Sequence, residues 1–176
     1  GDLAAARRYF EASVATRRAL EDTPGLALSL AKLGEVVAAQ GDPAAAQRIL
    51  AESVVLQRDL GDRYGLAFVL ERLAMVAAWH GLPDRALRLA GAGSALHQLT
   101  GMPLSSTARS SLDARLAPAW RAQPAEAAAL AWQQGRAMSV ERAISLALDP
   151  VRPLPPEADQ ASPDNPAIAH LTPRER

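Results

Sequence analysis

His80, His97 and His170 are the only imidazoles in the chain and the first candidates for acid–base or metal chemistry. None stands in the HxxxH or HExxH spacing that sets two ligands on one helical face, so no zinc site is expected. None lies beside a serine or carboxylate that would make a nucleophile and its base. His80 instead precedes Gly81 at the end of a helical pattern, where an imidazolium suits the negative end of the helix dipole. Cysteine is absent, which removes disulfides, thiolate metal sites and a cysteine nucleophile. Gly91-Ala92-Gly93 has the glycines of a phosphate loop but not the lysine and serine that follow in one, nor a strand before it. Close packing of helices is its expected role. Arg7-Arg8 and Arg17-Arg18 form two basic pairs, but Glu11, Glu21 and Asp22 are near enough to balance them, which predicts a solvated face. The chemistry-bearing residues therefore suggest no enzyme.

The elements that position them are helical. Hydrophobic residues make up 49% of the 176 and aromatics 4%, so the core must be built of alanine and leucine, residues that suit closely packed helices. Nineteen basic and nineteen acidic residues cancel, which argues against a global field for nucleic acid or membrane surface. Lys32 is the single lysine among arginines, a bias that with the abundant alanine fits a GC-rich genome rather than phosphate recognition. No apolar run approaches the ~20 residues of a membrane span. A cytoplasmic protein with no membrane partner is expected. The start at Gly1 and the abrupt end at Arg176 read as those of a fragment.

An internal repeat decides the fold class. GDLAAARRYFEASVATRRAL from Gly1 aligns without a gap on GDPAAAQRILAESVVLQRDL from Gly41, an offset of 40 residues. GLALSLAKLGEVVAAQ from Gly25 aligns on GLAFVLERLAMVAAWH from Gly65 at the same offset. A third copy starts at Gly81 and holds through Ala86, Arg88, Leu96 and Gly101 before loosening. Each copy contains two amphipathic patterns, such as Pro43 to Leu60 with Ala46, Ile49, Leu50 and Val54, and Leu66 to Trp79 with Val69, Leu70 and Leu73. Gly41-Asp42-Pro43 punctuates them, with aspartate as N-cap and proline at the first helical position, and Gly61-Asp62 does the same at the other end. One helix pair cannot bury its apolar face, so an all-α solenoid of stacked pairs is expected over residues 1–149.

The spacing resembles the tetratricopeptide repeat. Leu30, Leu33-Gly34 and Val37 match its first helix, and Ala46, Leu50 and Ser53 its second. Leu70, Leu73-Ala74, Ala77, Gly81, Ala86, Ala90 and Gly93 continue the pattern in the next copy. The period exceeds the family's ~34 residues. The extra residues are expected in the connections around Glu21 to Pro24 and Gly61 to Tyr64. The resemblance implies that the first helix of each pair lines a concave groove. That face would carry Leu28, Ala31, Glu35 and Ala38, then Phe68, Glu71, Met75 and Trp79. These residues would either hold an effector or protein partner, or pack against a neighbouring helix.

Beyond the third copy, Ser105 or Ser106 can cap a helix that Pro118 should end or kink, and Pro124 opens another running to Met138. Ser139 has only half of a capping box, since Arg142 stands where glutamate would complete it, and a short helix to Leu148 follows. These last helices are expected to cap the stack, with Trp120 and Trp132 as cap-packing residues. Residues 150–170 are proline-rich and read as a flexible linker. In Leu171-Thr172-Pro173-Arg174-Glu175-Arg176, Thr172 and Glu175 form a full capping box with proline at N1. LTPRER is similar to the opening of the LuxR-type helix-turn-helix domain, and AWQQGRAMSVERAISLAL and GAGSALHQLTGMPL resemble segments that precede it in large bacterial regulators. The resemblance implies a regulatory scaffold of a transcription regulator, with DNA read beyond Arg176, no cofactor in this segment and any ATP site upstream of Gly1. The rival expectation is a free-standing tetratricopeptide adaptor.

Overall fold

The computed structural model describes residues 2–150. The proline-rich stretch from 151, His170 and the LTPRER string lie outside the described residues. Among those described there are eight helices and no strand: α1 (Leu3–Ala19), α2 (Thr23–Ala39), α3 (Pro43–Leu60), α4 (Arg63–Trp79), α5 (Pro83–Leu99), α6 (Ser106–Arg121), α7 (Ala125–Arg136) and α8 (Val140–Leu148). The fold is all-α.

The helix ends follow a local metre of twenty residues. Asp2, Asp22, Asp42 and Asp62 each accept the backbone N–H three residues on, from Ala5, Gly25, Ala45 and Gly65, at 2.9–3.0 Å. Each such cap contributes ~1 kcal/mol. Gly41, Gly61, Gly81 and Gly101 take φ between 66° and 86°, the left-handed conformation that glycine adopts without a Cβ clash. Glu21 occupies the equivalent place with φ 54° and is the exception.

The expected wide connections are not there. Thr23, Pro24, Arg63 and Tyr64 already belong to the first turns of α2 and α4. The long period comes from helices of 17 or 18 residues joined by tight turns. Thr23-Pro24 looks like a turn in sequence, but proline at the start of a helix loses no hydrogen bond.

Each of α1 to α5 packs on the next, and α2 also packs on α4. Leu30, Leu33 and Val37 of α2 meet Ala46, Leu50 and Val54 of α3 in one core. A Cβ at Gly34 would overlap the Leu50 side chain, so the small residue is what allows this approach. Ser53 Oγ donates to Ala27 O at 2.8 Å across the same buried seam.

After α5 the arrangement changes. Helix α6 packs on α4 and α5, α7 mainly on α5, and α8 on α3 and α5. Gly91 and Gly135 let α5 and α7 cross backbone to backbone: a Cβ at either would overlap main-chain atoms of the other helix. Gly93, two residues on, faces Ala67 O of α4. Gly91-Ala92-Gly93 therefore sits in mid-helix as a packing element. Ser105 is the cap of α6, accepting Ala108 N–H at 3.2 Å. Pro118 does not end α6, which runs to Arg121. Only one intrahelical bond is lost to the proline, and buried Ala119 with the Trp120–Trp132 ring contact (centroids 5.8 Å apart) anchors the last turn.

Candidate functional site

Helix α4 presents Phe68, Glu71, Arg72 and Met75 within two turns, the spacing that puts them on one side. Glu35 of α2 joins them from one flank, Leu112 and Arg115 of α6 from the other, and Pro103 to Ser105 close the end near Tyr64. Together they bound a cavity of about 410 Å³. The size is that of a small-molecule site, with walls of mixed polarity and several convergent charges.

Of the eight residues placed on a groove face from sequence, Glu35, Phe68, Glu71 and Met75 line this cavity. Ala31 and Ala38 are buried in the core. Leu28 and Trp79 are 46% and 45% exposed and do not line the cavity. A neighbouring helix does cover the face, since Arg115 of α6 donates to Glu35 Oε1 at 3.1 Å and approaches Met75 Sδ at 3.9 Å. Space nevertheless remains between α4 and α6.

A line of five charged or ionisable groups crosses the site. Arg115 meets Glu35, whose second oxygen lies 3.5 Å from Arg72 Nε. Arg72 Nη1 donates to Glu71 Oε2 at 3.1 Å, and Glu71 Oε1 lies 3.1 Å from His97 Nε2. The Arg72 guanidinium also stacks on Phe68, 3.5 Å from the ring centroid, and Lys32 Nζ is 4.8 Å from the same ring. Phe68 is thus fixed by cations rather than by apolar packing alone.

The Glu71–His97 contact corrects an expectation, because a histidine does stand beside a carboxylate. Both side chains are 2% exposed. His97 Nδ1 lies 3.0 Å from Met102 O, which can only accept, so Nδ1 carries a hydrogen. Glu71 Oε1 and His97 Nε2 are close but lack hydrogen-bond alignment. Tyr64 packs edge-on against the imidazole at 5.4 Å, and His97 in turn anchors the chain that leads into α6.

Sequence reasoning missed Arg72, Arg115 and His97. The forty-residue offset held one signal. Glu71 stands where the preceding copy has Ala31, and His97 stands where it has Gln57. The change from Ala31 to Glu71 puts a new polar group at a buried position, and the adjacent helix keeps a polar group at its own, which points to a meeting of the two.

The described residues hold no group of three or more His, Asp or Glu side chains placed to bind a metal ion, and no helix long and apolar enough to cross a membrane. His80 ends α4 as expected, at its C-cap. No family model matches the chain. Comparison with curated proteins and with solved structures likewise returned no match.

Proposed function

We propose that this chain is a non-catalytic regulatory scaffold, a solenoid of tetratricopeptide-like helix pairs closed by α6 to α8. It would take an effector or protein partner in the cavity between α2, α4 and α6. In this reading it belongs to a LuxR-type bacterial transcription regulator that works in the cytoplasm and reads DNA through a domain beyond Arg176. The observation that carries the binding role is the convergence of Glu35, Phe68, Glu71 and Met75, from two helices forty residues apart, on one partly open cavity. The transcriptional role rests on LTPRER and the strings before it.

An aromatic ring held by a stacked guanidinium gives a rigid platform for a planar or apolar group. Arg115, half exposed at the rim, is placed to exchange Glu35 for an anionic group on the ligand. Such an exchange would loosen or reseat α6, which packs on α4 and α5.

The test uses the full regulator. Phe68→Ala should weaken the effector's control of a reporter promoter by about tenfold or more while the helical signal and melting temperature stay near those of the parent. A sharp fall in melting temperature with unchanged control would make Phe68 a core residue only. A reading frame that ends without a helix-turn-helix would defeat the transcriptional part.

A further inference from the structure

The forty-residue offset sets Arg17, Gln57 and His97 at one position, near the ends of α1, α3 and α5. For Arg17 and Gln57 the head group rests on the same floor, a bare glycine in the first turn of the next helix. A Cβ at Gly25 or Gly65 would overlap both that head group and the second oxygen of the capping aspartate, Asp22 or Asp62. In the first copy the head is a guanidinium, and Arg17 Nη1 stands 3.8 Å from Asp22 Oδ2.

In the second copy a neutral amide replaces it. Gln57 is only 4% exposed, its Nε2 lies over Gly65 beside Asp62 Oδ2, and its Oε1 has no hydrogen-bond partner. The opposite amide orientation would turn the oxygen toward the carboxylate, so the orphan is the acceptor. Buried acceptors are nearly always paired; this one is sealed from water, while other atoms of Gln57 line the neighbouring cavity. A cavity of about 380 Å³ lies between the α3–α4 turn and α8, with Gln57, Asp62 and Glu141 as its oxygen-bearing side and Leu66, Val140 and Ile144 as its apolar side.

The charge around it favours a cation. Arg58 is held by Asp59 at 2.8 Å, leaving Asp62 and Glu141 against Arg63 alone. Hydrogen bonds from its own N–H and then from Ser139, with the charge of Arg63, hold the Glu141 carboxyl below the usual range, so it is ionised at neutral pH.

We infer that this cavity binds an alkylguanidinium group, which, as the Gln57 amide turns toward the cavity, restores between Gln57 Oε1, Asp62 and Glu141 the cationic donor that Arg17 supplies in the first copy. The aliphatic stem lies along Leu66, Val140 and Ile144. The group has two sources, a free small molecule or the arginine side chain of a partner, and both present the same chemistry.

Titration with agmatine, followed in ¹H–¹⁵N spectra, tests it. Saturable shifts are expected at the Gln57 side-chain amide and the Gly65 and Val140 amides, with a dissociation constant below about 1 mM. Butylurea, of similar shape and uncharged, should bind at least tenfold more weakly. Gln57→Arg, which places the guanidinium in the chain itself, should abolish agmatine binding and raise the melting temperature. Glu141→Gln, on an exposed side chain, should weaken binding severalfold without moving the melting temperature. A capped Ala-Arg-Ala peptide that saturates the site where agmatine does not would assign the group to a partner's arginine. Absence of saturable shifts with both ligands, equal binding of butylurea, or undiminished binding by folded Gln57→Arg would each overturn the inference.

Discussion

Helices α2 and α4 occupy the same place in successive copies, yet they bury different chemistry. The face of α2 that meets its neighbours is apolar or small, with Ala31 fully buried, while the matching face of α4 carries Glu71. The partner helices differ in step: α3 ends with Gln57 over a glycine, α5 with His97 against Glu71. The lesson is that an inherited backbone position fixes where a side chain goes but not what it does. Where the helix pairs meet α6, the position of Ala31 has become that of Glu71, and the cavity opens at that seam.

The largest expected effect comes from breaking the buried pair. Glu71→Ala leaves His97 and Arg72 without their shared carboxylate, and should cost about 3–5 kcal/mol in denaturant unfolding. Replacing both partners by apolar residues, Glu71→Leu with His97→Leu, should recover much of that loss, because neither group is then left uncompensated. If the double variant is as unstable as the sum of the singles, the two side chains act independently and the contrast with Ala31 means nothing.

Next comes the crossing of α5 and α7. Gly135→Ala pushes a methyl group into the Arg88 main chain and should cost about 2–3 kcal/mol, since backbone cannot step aside as a side chain can. Gly34→Ala, which meets only the Leu50 side chain, should cost less when measured the same way. The reverse order would remove the distinction between the regular stack and the glycine crossing.

The smallest effect lies in the turns. Glu21 alone among the five left-handed turn positions is not glycine, so Glu21→Gly should stabilise by about 0.5–1 kcal/mol, the relief of the left-handed strain reduced by glycine's greater freedom when unfolded. Gly61→Ala should destabilise by about 1 kcal/mol. Thermal melts of both decide it, and equal shifts of one sign would contradict the metre.

How much of this was legible depended on range. Asp42-Pro43 and Gly61-Asp62 act on their own backbone, and α3 runs from Pro43 to Leu60 as its punctuation predicts. Thr23-Pro24 misled because the same dipeptide serves a turn and a helix start. Glu35, Phe68, Glu71 and Met75 were placed on one face by matching to the tetratricopeptide pattern, and all four line the cavity. Arg115 could not be found that way. It reaches Glu35 across 80 positions, and nothing in residues 106–121 alone says which face of α6 will settle on α4. Trp79 and Leu28 shared the phase of Phe68 but lie away from the cavity, because α6 does not close over them.

The central claim is that the cavity between α2, α4 and α6 receives the effector, and the three methionines offer a direct view of it. Met75 lines the cavity, Met102 holds the turn beside His97 through its carbonyl, and Met138 lies between α7 and α8. With ¹³C-labelled methionine methyls, a compound that acts as effector under the proposed reading should shift the Met75 signal most, Met102 less and Met138 least. A shift confined to Met138, with Met75 unmoved at saturation, would place the effector elsewhere and contradict the account.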